Sequence, residues 1–235
     1  MKKNQHLFLL IFLSLFLLLG MQVSVSAAMQ SGDYNYTVSI TGKYPDQKST
    51  IYRQKNGTYT KKKLITVSGY ATPKLVYKNV LYYEKDRVYD TELLDLWTYN
   101  LKTKKIKCVQ KNAAILRHSG KNLLLAPNTG EASPLPCYLY NLSTGKSKRI
   151  DSSSINSDMI DGKIYYAKCL SKKWTHKGYP TKIYSYSLKT GKRKAISKTF
   201  YASYCRDFTS QSVIYRSLGN NYKYTYATGK STRIF

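Results

Sequence analysis

The chain has 235 residues, with 39 Lys and Arg against 12 Asp and Glu for a formal net charge of +27, and 24 Tyr, 4 Cys and 3 His. That length suits one or two domains, and an apolar share of 42 % supplies a core, which excludes a disulfide-knot miniprotein, a coiled coil and a collagen-like rod. Tyr residues in regular apolar runs argue against disorder despite the charge.

The first element is a leader. Lys2 and Lys3 precede an apolar run from Leu7 to Leu19, and small residues follow at Ser24, Ser26, Ala27 and Ala28. A basic start, a short apolar stretch and a small-residue boundary predict a signal peptide over residues 1–27, cut after Ala27, and therefore a secreted, extracellular protein. The rival is an uncleaved anchor, for which the run falls short of the ~20 residues that span a bilayer. No transmembrane segment is expected after cleavage.

Residues 28–235 read as one repeat domain. Over 29–67, Tyr34 to Ile40 is strand-like, and Asn56-Gly57 marks a hairpin between Ile51-Tyr52 and Leu64-Ile65. Four later segments superimpose: Trp97 to Lys105, Tyr138 to Lys146, Tyr184 to Lys192 and Tyr222 to Lys230. Their threonines, Thr103, Thr144, Thr190 and Thr228, recur at a spacing of about forty residues, a period that belongs to repeat architectures. Within each segment, aromatic or Leu residues alternate with polar ones, as in Trp97, Tyr99 and Leu101, which is the period of a strand. Gly145, Gly191 and Gly229 then supply the positive φ of a tight turn; the earliest segment has Lys104 there, so its turn is expected to differ.

A second hairpin lies upstream of each, clearest in Asp161-Gly-Lys-Ile-Tyr-Tyr-Ala167. Two hairpins give four strands, here lettered A to D, and four-stranded units at this period are the blades of a β-propeller. The predicted fold is therefore all-β: a β-propeller of about five four-stranded antiparallel blades, an irregular one at 29–67 and others near 75–109, 115–150, 158–196 and 204–235. A β-sandwich is the rival, since it also has regular strands but lacks the repeat.

The pattern of Asp161-Gly162-Lys-Ile-Tyr-Tyr followed by Ile183-Tyr-Ser-Tyr-Ser-Leu-Lys-Thr-Gly191 resembles the blade repeats of secreted bacterial propellers of the low-density-lipoprotein-receptor-like and TolB-like types. The resemblance covers residues 75 to 235 and implies blade architecture. It implies no particular activity, because one fold hosts many functions.

Many bases fall on strand D, the outer edge of a blade: Lys105, Lys107, Lys146, Lys148, Arg149, Lys192, Lys194, Lys230 and Arg233. Exposed Lys on an edge blocks strand-to-strand aggregation. Such a rim also offers a second function, binding of an anionic cell-wall polymer or membrane surface. Nucleic acid is not an expected partner. Five acids between Glu84 and Asp95 match no calcium loop and read as a solvated loop paired with neighbouring bases.

Catalysis is hard to assemble. There is no G-x-S-x-G, H-E-x-x-H or Gly-rich phosphate loop, and strand direction puts His118 and His176 at opposite ends. Asp86, Asp90 and Asp158 are the carboxylates to inspect for glycan chemistry, a third function. The expectation is a protein that is not an enzyme, uses no cofactor or metal, and binds an extracellular protein or glycan. The B–C connections, Lys85 to Leu94, Pro127 to Pro136 and Ser171 to Lys182, are read as long loops, where binding residues concentrate. The expected ligand contacts are Trp174, Tyr179, Lys173 and His176, with Asp86 and Arg87 facing them. An exported chain permits disulfides, and strand direction suggests Cys108–Cys137 and Cys169–Cys205 bridges; four buried thiols are the alternative.

Overall fold

The computed structural model describes residues 29–43, 45–88, 91–127 and 134–235. The expected signal peptide and most of the loop between Pro127 and Pro136 lie outside the described residues. Among the described residues every regular element is a strand.

The chain opens with a four-stranded antiparallel sheet of β1 (Met29–Ser31), β2 (Tyr34–Thr41), β3 (Lys48–Lys55) and β4 (Lys61–Ser68), paired in chain order. Its register sets Val38 opposite Ile51 and Ile51 opposite Ile65, so alternate apolar residues stack on one face while Lys61, Lys62 and Lys63 stay in solvent. A second sheet follows in the same order: β5 (Ala71–Tyr77), β6 (Val80–Val88), β7 (Thr91–Asn100) and β8 (Ile106–Gln110).

The next sheet joins two four-stranded sets. β9 (Ala114–Ser119), β10 (Asn122–Ala126), β11 (Leu135–Asn141) and the first part of β12 (Lys146–Ile160) form one. The remainder of β12, with β13 (Lys163–Cys169), β14 (Tyr179–Ser187) and β15 (Arg193–Ala195), forms the other. A short β16 (Phe200–Ala202) also pairs with β14. One 15-residue strand thus serves as the last strand of one set and the first of the next. A register shift between Ser154 and Ser157 lets it change partner. Asp151 sits near this change with its side chain 2 % exposed, accepting the Ser153 N–H at 2.9 Å and facing Lys168 at 3.3 Å and Arg193 at 3.8 Å. The last sheet contains β17 (Tyr204–Arg206), β18 (Ser212–Ser217), β19 (Asn220–Thr225) and β20 (Lys230–Ile234).

The turn after the repeated motif is the same in all four copies. The amides of Lys104, Gly145, Gly191 and Gly229 donate to Asn100, Asn141, Ser187 and Thr225 carbonyls at 2.8–2.9 Å. Lys104 adopts φ +63, beside +66, +68 and +64 for the glycines, so its turn does not differ as expected. In Lys104 the ammonium also folds back onto its own turn, donating to the Leu101 carbonyl at 2.7 Å. Tyr140, Tyr186 and Tyr224 hydroxyls lie over the glycines, whereas the Lys104 ammonium reaches over the Tyr99 ring, 5.7 Å from its centroid.

Among the described residues the chain divides into two compact units, one of residues 29–88 and 97–107, the other of 91–96 and 108–235. The first is built around Tyr36, Val38, Ile51, Leu81, Tyr83 and Tyr99. The second has two clusters. One packs Leu124, Cys137, Ile164, Tyr166 and Tyr186; the other packs Tyr165, Ile183, Ala202, Cys205, Phe208 and Val213. Each fully buried large side chain contributes about 1.5–3 kcal/mol.

Candidate functional site

In the second unit, nine residues, Leu170 to Gly178, join β13 to β14. The expected loop ran to Lys182; the structure starts β14 at Tyr179, which pairs with Ala202 of β16. The Thr175 hydroxyl donates to the Gly178 carbonyl at 2.7 Å, and the Gly178 amide returns to the Thr175 carbonyl at 2.8 Å. The Ser217 hydroxyl on β18 holds the Lys177 carbonyl at 3.0 Å. Gly178 itself has φ +108, and a Cβ there would lie 2.4 Å from the Ala202 carbonyl carbon. Only glycine fits.

This frame fixes two aromatic rings. Trp174 is 50 % exposed, and its ring meets that of Tyr179 edge-on, with centroids 4.8 Å apart and planes at 83°. Tyr179 is half-buried against the core, so it anchors Trp174 while leaving its free face in water. Lys173, His176 and Lys177 are exposed around the pair. Four of the expected contacts, Trp174, Tyr179, Lys173 and His176, therefore share one short segment.

The other two belong to the first unit. Asp86 and Arg87 lie on β6, because β6 runs to Val88 and β7 starts at Thr91; the expected loop from Lys85 to Leu94 is mostly strand. The side chain of Arg87 and all of Asp90 are outside the described residues. Asp86 donates its amide to the Tyr70 carbonyl at 3.0 Å, while burial pushes its carboxyl pKa above the usual carboxylate value. Two of the acids near it, Glu84 and Asp95, lie on strands and are buried instead of standing in a solvated loop. Glu84 is buried and ion-paired to Lys74 at 2.8 Å, and buried Asp95 accepts the Asn112 N–H at 2.7 Å. Strand pairing draws these carboxylates inward.

None of the four cysteines is in a disulfide, so the suggested Cys108–Cys137 and Cys169–Cys205 bridges are not formed. Cys108 is half-buried on β8, while Cys137 packs in the core under β11. Cys169 and Cys205 share a core cluster and fill it as small apolar groups. Burial pushes Cys137 and Cys169 up to about 12, and Cys205 well above the ordinary thiol value.

A cleft of about 320 Å³ in the second unit was not anticipated, apart from Asp158. It is lined from β9 by Leu116 and Arg117, from β12 by Asn156, Ser157 and Asp158, and from β17 onward by Tyr204, Arg206, Asp207 and Phe208. These three segments are the first strands of three successive sets, the strands that line the central channel in a propeller. His118, next on β9, is turned instead to the Gly120 carbonyl at 2.8 Å. Among the described residues no group of three His, Cys, Asp or Glu could hold a metal ion.

Comparisons with known proteins bear on the class. No protein-family model matches the chain, and no curated protein matches it in sequence. In structure it is similar to the β-propeller domain of the Trilobed protease from Pyrococcus furiosus, with a TM-score of 0.53 and 12 % identity over 88 % of this chain and 69 % of that one. It is also similar to the acylaminoacyl peptidase of Pyrococcus horikoshii, with a TM-score of 0.50 and 11 % identity over 88 % of this chain. The chain spans 38 % of that peptidase's length. Together with the four-stranded antiparallel sets, these likenesses define the fold as a β-propeller. They also correct the expectation that the chain is not an enzyme: structures it resembles include those of peptidases, so the fold is one that enzymes carry.

Proposed function

We propose that the chain is an exported β-propeller that binds an extracellular glycan through the Trp174–Tyr179 platform, with Lys173, His176 and Lys177 around it. The observation that carries this reading is an aromatic ring packed edge-on against a core-anchored Tyr yet half in water. Exposing Trp174 forgoes much of its burial, and the loop that carries it is closed by the Thr175–Gly178 bonds. Rings so presented suit stacking on the apolar face of a sugar, and the neighbouring bases suit an acidic substituent. Export is supported by Lys2, Lys3 and the apolar run before Leu19, and by the likeness of the blade motif to secreted repeat proteins.

The test is a glycan array of neutral and acidic oligosaccharides probed with the full chain and two variants. Trp174→Ala removes the platform and leaves Tyr179 in the core. Lys146→Gln with Lys148→Gln and Arg149→Gln discharges an exposed stretch of β12. Trp174→Ala is expected to lose binding while the triple variant keeps it. Loss in the triple variant alone, with wild-type binding that collapses in salt, overturns the platform reading in favour of the basic rim.

A further inference from the structure

We propose that the cleft between β9, β12 and β17 is a second binding site, for a small carboxylate bearing a hydrogen-bond donor beside its acid group. Arg206 takes the carboxylate and Asp207 the donor.

The assignment follows from which polar groups around the cleft are already occupied. Arg117 is: its Nε lies 2.7 Å from Asp158 Oδ1, its Nη2 donates to Asp158 Oδ2 at 3.3 Å, and its Nη1 donates to the Leu116 carbonyl at 3.1 Å. Asp158 Oδ1 also accepts the Met159 N–H at 2.7 Å. Asn156 is similarly engaged, donating to the Cys205 carbonyl at 2.7 Å and accepting the Ser157 N–H at 2.7 Å. These residues form a rigid polar wall that ties β12 to its neighbours on both sides.

Arg206 and Asp207 differ. They form only a loose, exposed ion pair, Nε to Oδ2 at 3.6 Å, too long for a hydrogen bond. Their side chains are 50 % and 63 % exposed. A planar guanidinium fork and a carboxylate therefore stand together with hydrogen-bonding capacity that only solvent fills. Asp207 has φ +48, the left-handed conformation that Asp and Asn accept more readily than other non-glycine residues, and it places the carboxylate beside Arg206. Beside them the Tyr204 ring, 42 % exposed, offers an apolar face.

Charge and size narrow the ligand. Two arginines and two aspartates make the lining formally neutral in a chain of net charge +27. A phosphate dianion gains little there, because Asp158 and Asp207 oppose its second charge. A ligand with a single carboxylate for the Arg206 fork and a neighbouring hydroxyl or ammonium for Asp207 is matched at both ends. The volume is at the small end of the ~300–1,000 Å³ of small-molecule sites, room for one amino acid or one sugar unit.

Two sources carry this chemistry, an acidic sugar and a free amino acid. The test is calorimetric titration of the full chain with sodium D-glucuronate and with L-alanine, and with their neutralised analogues, methyl glucuronate and L-alaninamide. One acid is expected to bind at millimolar concentration and its neutralised analogue at least tenfold more weakly; which acid binds identifies the source. Arg206→Lys keeps the charge but removes the fork, and Asp207→Asn removes the carboxylate while tolerating the backbone conformation; each is expected to weaken binding at least tenfold with unchanged circular dichroism. If neither acid binds, if an analogue binds as well as its acid, or if both variants bind like wild type, the assignment fails.

Discussion

Gly178 is the position where one methyl group should do the most damage. At φ +108 any side chain strains the backbone, at about 1–2 kcal/mol. The added Cβ would also meet three backbone atoms, the Ala202 carbonyl carbon at 2.4 Å, its oxygen at 2.6 Å and the Ser203 nitrogen at 2.6 Å. Backbone cannot step aside as a flexible side chain can, so overpacking adds about 1–3 kcal/mol. The sum for Gly178→Ala, roughly 2–5 kcal/mol, is a large part of the ~5–15 kcal/mol that holds a domain together. Gly162→Ala is the matched control: φ is +71, but nothing lies within 4 Å of its Cβ, so only the backbone strain of about 1–2 kcal/mol applies. Urea unfolding of both variants separates the two contributions. Gly178→Ala should also weaken glycan binding, because the clash separates Tyr179 from its Ala202 partner and loosens Trp174. Equal unfolding midpoints for the two variants would refute the argument that backbone crowding holds the loop in place.

Further outcomes follow from the buried groups. Thiolates are the reactive form, so iodoacetamide at neutral pH should label Cys108 before the other three, and mass spectrometry of the denatured chain without reductant should find four thiols. Cys137, Cys169 and Tyr166 have native values raised to about 12 from 9.0 for the thiols and 10.0 for the phenol. Stability from these groups is therefore complete below pH 9 and falls as pH rises toward about 12, which an alkaline melting series would show. Burial likewise raises Asp86 above 3.8, so its charged form disfavours the fold as pH rises through the native value. Asp86→Asn should then raise stability at pH 7 and leave it unchanged at pH 3. Asp151→Asn should cost about 2 kcal/mol, since Lys168 and Arg193 lose a buried carboxylate but stay partly solvated.

How much was legible depends on how local the cause is. Alternation in Tyr184-Ser-Tyr186-Ser-Leu188 and the turns at Gly145, Gly191 and Gly229 rest on neighbours within a few residues, so strands and hairpins were readable directly. Lys104 marks the edge of that reach: its turn matches the others, with its ammonium on the Leu101 carbonyl and over the Tyr99 ring, contacts that composition does not announce. The Trp174 platform was legible as residues, since Trp174 and Tyr179 are close in the chain, but not as a rigid object. Rigidity comes from Ser217 and Ala202 on other strands.

The sequence by itself determined the strand periodicity, the repeat and hence the propeller class, because each rests on short-range stereochemistry and on apolar residues that must turn to one side. Tertiary structure decided which distant residues meet. Arg117 finds Asp158 across 41 residues and Asn156 finds the Cys205 carbonyl across 49, and only that convergence of first strands creates the cleft. It also decided that Glu84, Asp86 and Asp95 belong to strands and buried contacts. Pairing satisfies a strand's backbone hydrogen bonds and carries its side chains with it, whatever their charge, and the partners that make this tolerable lie elsewhere in the chain.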